Sequence, residues 1–103
     1  MTITIDDKNY ELKMSIGRVQ QVERKADKPI ALILLGNNGM ISFADMALIY
    51  GWCLLPEGAD AYVSPKEGAA LFEKDLEQRG YAAVNKNILE AAKESLPFLF
   101  KMS

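Results

Sequence analysis

The chain has no histidine at all. That removes Ser-His-Asp and Cys-His catalysis, the commonest general base and the usual zinc ligand sets in one step. It has a single cysteine, Cys53, so no disulfide can form within the chain, which fits a reducing compartment. Cys53 lies in the apolar run 46–55, where a buried, inert thiol is expected. Glycine-rich phosphate loops are missing. Gly36-Asn37-Asn38-Gly39 has neither the dinucleotide nor the Walker spacing and follows no strand, so it reads as a turn. Long hydrophobic runs are missing too: the longest, residues 30–35 and 46–55, fall well short of the roughly 20 residues that span a bilayer. Met1 to Asp7 lacks the basic and apolar regions of a signal peptide. A cytoplasmic protein with no membrane partner is expected. Clustered basic charge is also absent. The net charge is -2 with both signs mixed along the chain, which argues against a partner made of nucleic acid, whose phosphates call for grouped Lys and Arg.

What is present describes one soluble domain. At 103 residues, half of them apolar and a quarter charged, the chain is long enough to bury a core unaided and too short for a second one. A single domain spanning 1–103 is expected, with a hairpin over 2–14 and a helical part over 15–103. The fold class is α+β, mainly α: an N-terminal β-hairpin followed by about four to five short helices.

Thr2-Ile3-Thr4-Ile5 and Tyr10-Glu11-Leu12-Lys13-Met14 each alternate apolar with polar, and Asp6-Asp7-Lys8-Asn9 between them has turn chemistry. The core face of the hairpin would carry Ile3, Ile5, Tyr10, Leu12 and Met14. A lone hairpin is marginal in water, so it must pack on the helices or pair an exposed edge with another chain. From Ser15 the period changes: Ile16, Val19, Val22 and Ala26 recur at spacings of three and four, an amphipathic helix of about three turns. Pro29 suits the first turn of a short helix over residues 30–35, ended by Gly36-Asn37-Asn38-Gly39. That helix is apolar all round, so it is either central to the core or partly covered by a partner.

Ser42 caps the next helix, with Asp45 near its positive end, and Phe43, Met46, Ala47, Ile49, Tyr50 and Cys53 make a broad apolar surface before Pro56 closes it. Ser64-Pro65-Lys66-Glu67 has the form of a capping box and opens a helix that runs to about Arg79 and stops at Gly80. Its apolar stripe reads Ala69, Phe72 and Leu76, with Leu71 beside it. A last helix, about Tyr81 to Ser95, gathers Val84, Ile88, Ala91 and Ala92 before Pro97 ends it.

No constellation of reactive side chains emerges, so no catalytic residue, metal ligand or cofactor is expected. Asp6-Asp7 is ordinary turn composition. Glu73-Lys74-Asp75-Leu76-Glu77 reads as the solvated side of a helix, without the spacing of a calcium loop. Trp52 reads as core rather than as a stacking platform, and Tyr62 as a loop aromatic. The segment from Leu96 to Ser103 is rich in large apolar side chains that must be covered somewhere. It either docks on its own helices or binds a partner. In the second case Leu96, Phe98, Leu99 and Phe100 are the candidate contact residues.

Ile3-Thr4-Ile5-Asp6-Asp7-Lys8-Asn9-Tyr10-Glu11-Leu12-Lys13, followed by Val19-Gln20-Gln21-Val22-Glu23-Arg24-Lys25, resembles the opening of the small tail assembly chaperones of long-tailed bacteriophages and prophages. The order of hairpin, charged helix, short apolar helix and further capped helices is similar along nearly the whole chain, and closest over residues 1 to 35. One departure is Asp7, where relatives often carry glycine, although Asp tolerates positive φ at modest cost. The resemblance implies a non-enzymatic role in the host bacterial cytoplasm: binding the hydrophobic tape measure protein and keeping it ready for tail tube protein to polymerise around it. It also implies self-association, and it carries no binding residue over to this chain. The alternative is another small protein-interaction module, such as a phage head or tail completion factor or a bacterial adaptor.

Overall fold

The structure is a computed structural model that describes residues 1–100. It has the expected α+β, mainly α architecture: strands β1 (Thr2–Ile5) and β2 (Lys8–Leu12), then helices α1 (Ile16–Ala26), α2 (Ile30–Leu35) and α3 (Phe43–Cys53), a short strand β3 (Leu54–Pro56), and helices α4 (Pro65–Arg79) and α5 (Tyr81–Ser95). Two 3-10 turns, Gly36–Gly39 and Pro97–Phe100, follow α2 and α5.

The hairpin turn is tighter than its composition implies. Only Asp6 and Asp7 lie in it, both at positive φ (50° and 63°), while Lys8 and Asn9 already belong to β2 and Ile5 pairs with Lys8. Two consecutive left-handed residues form the primed turn whose twist matches that of the strands. Ile3, Ile5, Tyr10, Leu12 and Met14 are all buried, as the alternation requires.

The sheet has a third strand that the apolar run 46–55 conceals. The helix expected to continue to Pro56 stops at Cys53, and Leu54–Pro56 pairs antiparallel with β2, Leu12 opposite Leu54 and Tyr10 opposite Pro56. The Lys13 amide donates to the Cys53 carbonyl at 2.9 Å and the Glu57 amide to the Asn9 carbonyl at 3.0 Å, extending the ladder at both ends. Pro56 fits because β3 is an edge strand, where a missing amide donor is tolerated. Both sides of β2 are therefore paired, and the edges of the sheet are β1 and β3, the latter taking one bond from the Val63 amide to the Leu54 carbonyl at 3.0 Å.

Helices α3 and α4 cross at the centre of the molecule, and two glycines make the crossing possible. A Cβ on Gly68 would lie 2.3 Å from the Tyr50 carbonyl oxygen and 2.5 Å from the Gly51 Cα, so the helix backbones touch there. Ser64 caps α4 by accepting the Glu67 amide at 3.1 Å, and Ser42 caps α3 by accepting the Asp45 amide at 3.2 Å. The close approach rotates α4 away from the stripe read from its sequence. Its buried residues are Gly68, Leu71, Phe72 and Asp75, with Ala69 and Leu76 only half-buried. Two further expectations change, each at the first residue of a helix. Ile16 begins α1 in solvent, with Val19 and Val22 alone fully buried on that helix, and Phe43 begins α3 in solvent. Pro29 precedes α2 at its cap, with its carbonyl accepting the Ile33 amide at 3.1 Å. Asn37, Asn38 and Gly39 all adopt positive φ after it, as their composition implies. In α5, Val84, Ile88, Ala91 and Ala92 are buried together.

Candidate protein-interaction surface

Each of the two carboxylate clusters has its own structural use. The Asp6 carboxylate meets Lys74 Nζ at 2.9 Å and accepts from Gln78 Nε2 at 2.9 Å, which ties the hairpin turn to α4. The Lys74 hydrogen bond holds the Asp6 carboxyl below its usual range. In the second cluster, Asp75 is not on a solvated helix side as its neighbours are. It is fully buried, accepting Tyr50 Oη at 2.5 Å and a two-pronged contact from Arg79 at 2.5 and 2.7 Å. Burial, then the Asp75 hydrogen bond, push the Tyr50 phenol up from its ordinary value. Both Asp75 oxygens are occupied by groups of the chain itself, so the carboxylate is a structural tie between α3 and α4. Among the described residues no group of three or more Cys, Asp and Glu could hold a metal ion.

The aromatic candidates are likewise engaged from within. The Arg18 guanidinium lies 5.1 Å from the centre of the Trp52 ring and 4.2 Å from that of Tyr62, and its Nε donates to the Trp52 carbonyl. Tyr62 Oη donates to the Lys13 carbonyl at 3.4 Å. Trp52 packs partly against the core, as expected, and its exposed face is taken by Arg18 through a cation–π contact. Cys53 is fully buried, and desolvation pushes its thiol up to about 12, which makes it inert at neutral pH.

The C-terminal candidates divide. Leu96 is 1% exposed and belongs to the core, so it offers nothing to a partner. Leu99 and Phe100 are half-buried against that core, with Lys93 Nζ 5.9 Å from the Phe100 ring. Only Phe98, 56% exposed, presents a large apolar side chain. The last part of the tail, residues 101–103, lies outside the described residues.

A larger apolar surface surrounds the start of α3. Leu32, Leu35, Met40 and Phe43 are 54, 45, 56 and 58% exposed. Helix α2 is six apolar residues long, so with Ile30, Ile33 and Leu34 turned inward the remaining face must meet solvent. The all-round apolar sequence of α2 signalled this face, whereas Met40 and Phe43 had no such signal. Two depressions flank the first turn of α3. One, of about 220 Å³, lies between Leu32 and Met40 with Ser42 and Asp45 on the α3 side; there Lys28 Nζ pairs with the nearly buried Asp45 at 2.6 Å. The other, of about 380 Å³, runs between α3 and α4, lined by Phe43, Ala44, Ala47, Ala69, Phe72 and Leu76 with Glu73 and Glu77 on the α4 side. Phe43 leans over it, its ring centre 6.5 Å from Phe72 and 5.8 Å from Tyr81.

No helix among the described residues is long and apolar enough to cross a membrane. Comparison with protein-family models, with curated proteins and with solved structures finds no match to this chain.

Proposed function

We propose that this chain is a non-enzymatic tail assembly chaperone of a long-tailed phage or prophage, acting in the host cytoplasm. In this reading it binds apolar segments of the tape measure protein and holds them soluble until tail tube protein assembles around them. The observation that carries it is the exposure of four large apolar side chains, Leu32, Leu35, Met40 and Phe43, in the segment from α2 to the start of α3. Large apolar side chains left exposed beside the two depressions at the first turn of α3 favour protein interaction over catalysis. The polar groups suited to chemistry, Asp75, Tyr50 and Arg79, are spent on one another, and the kind of client follows from the resemblance of the hairpin and helix order to that family. Self-association would multiply weak contacts along an extended client. The free β1 edge and Phe98 are surfaces available for it.

The test is co-expression of the chain with the tape measure protein from the same phage or prophage. A larger soluble fraction of the client, co-purifying with the chain, is expected. A client equally insoluble with and without it defeats the reading.

A further inference from the structure

We propose that the groove between α3 and α4 receives a single amphipathic helix of a partner protein, whose apolar stripe is flanked on one side by Lys or Arg residues one turn apart. This inference rests on the reading of the chain as a binder of apolar protein segments, and it names the segment. The shape comes first. Ala44, Ala47 and Ala69 keep the walls low, so a helix can approach closely. The buried Phe72 forms part of the floor, the half-buried Leu76 keeps some apolar surface open to what enters, and Phe43 closes one part of the rim with its exposed ring. Both walls are helices, whose backbone groups are already bonded internally, so an extended peptide finds no ladder to join. A helix brings its own backbone satisfied and needs only side-chain contact.

Charge then selects the partner. Glu73 and Glu77 stand four residues apart along the α4 side of the groove, both exposed, and neither is in an ion pair among the described residues. Their neighbours on the same helix are committed elsewhere: Lys74 to Asp6, and Arg79 to Asp75. The α3 side of the groove is uncharged, with Phe43, Ala44 and Ala47. The electrostatic demand is therefore one-sided. A bound helix gains when its cations lie along α4 and loses when carboxylates do.

The test uses two synthetic helical peptides with the same leucine and alanine stripe, one carrying two lysines four residues apart beside the stripe, the other two glutamates there. Each is titrated against the full chain by fluorescence anisotropy. The lysine peptide is expected to bind at least about tenfold more tightly, with a preference that shrinks as salt is added. Glu73→Gln with Glu77→Gln should remove most of that preference, and Ala44→Trp should weaken both peptides, with folding checked by circular dichroism. Equal binding of the two peptides, no binding of either, or a preference that survives the double glutamine variant overturns the proposal. The outcome is separable from that of co-expression. A chain that keeps its client soluble yet fails the peptide test sinks only the groove. One that binds the lysine peptide yet leaves the client insoluble sinks only the chaperone reading.

Discussion

Cys53 shows how a single buried group makes the stability of this fold depend on pH. Its thiol titrates near its ordinary value of 9.0 in the unfolded chain, and burial pushes it up to about 12 in the native one. Between those values the unfolded state binds fewer protons than the native state. Stability from this group is thus fully present below about pH 9 and is lost as pH rises toward about 12, at about 1.4 kcal/mol per pH unit. Cys53→Ala removes the titrating group, so urea unfolding across that range should give a shallower pH slope by about one proton. Tyr50, also raised by burial and by Asp75, remains in both proteins and drops out of the comparison. Equal slopes would mean that the thiol is not desolvated as the structure places it. Burial of Cys53 was legible because it stands in an apolar run. The burial of Asp75 was not, because its partner Tyr50 lies 25 residues away and its sequence neighbours Glu73, Lys74 and Glu77 are all exposed.

Among the elements, the α3–α4 crossing sets the sharpest constraint. A side chain at Gly68 would strike the backbone of Tyr50 and Gly51, which cannot swing aside as a flexible side chain would. Gly68→Ala should therefore separate the helices and cost about 1–3 kcal/mol or more, outweighing the gain of about 1 kcal/mol in helix propensity. Gly17, in the first turn of α1, has nothing within 4 Å of an added Cβ. There the same substitution should stabilise, by up to about 1 kcal/mol. Opposite shifts of the urea midpoint in the two variants are expected, and a stabilised Gly68→Ala would refute the close approach. The hairpin, α1 and α5 could be read from the sequence because their periodicity is local and long enough to express itself. Strand β3 could not: Leu54-Leu55-Pro56 is too short to alternate, and its partner β2 lies more than forty residues earlier. The face of α4 is legible at Leu71 and Phe72, which are buried, but not at Gly68 and Asp75, for a related reason. Apolar spacing pointed to Ala69, Phe72 and Leu76, but the glycine contact at Gly68 decides the rotation, and glycine carries no hydrophobic signal.

For the whole molecule, the question is whether the exposed apolar residues reflect loose packing or a surface kept for a partner. The radius of gyration is 12.6 Å, close to the ~13 Å of a compact domain of about this length. Among the described residues no buried side-chain nitrogen or oxygen lacks a hydrogen-bond partner. A compact chain with its buried polar groups satisfied does not read as loosely packed, so the exposure of Leu32, Leu35, Met40 and Phe43 is read as a surface kept for a partner. Residues that serve the fold and residues that serve a partner then respond oppositely to polar substitution. Leu96→Ser should unfold the domain, because it leaves a hydroxyl and a cavity in the core, at a cost of about 2–5 kcal/mol. Leu32→Ser combined with Met40→Ser should leave stability within about 0.5 kcal/mol per site while reducing capture of the tape measure protein in co-purification. Phe98→Ser, made separately, reads the contribution of the one tail aromatic that faces solvent. Should the Leu32 and Met40 double variant capture client as well as the parent chain does, the depression between those two residues is not where the client binds. If Phe98→Ser abolishes capture instead, the binding function belongs to the tail.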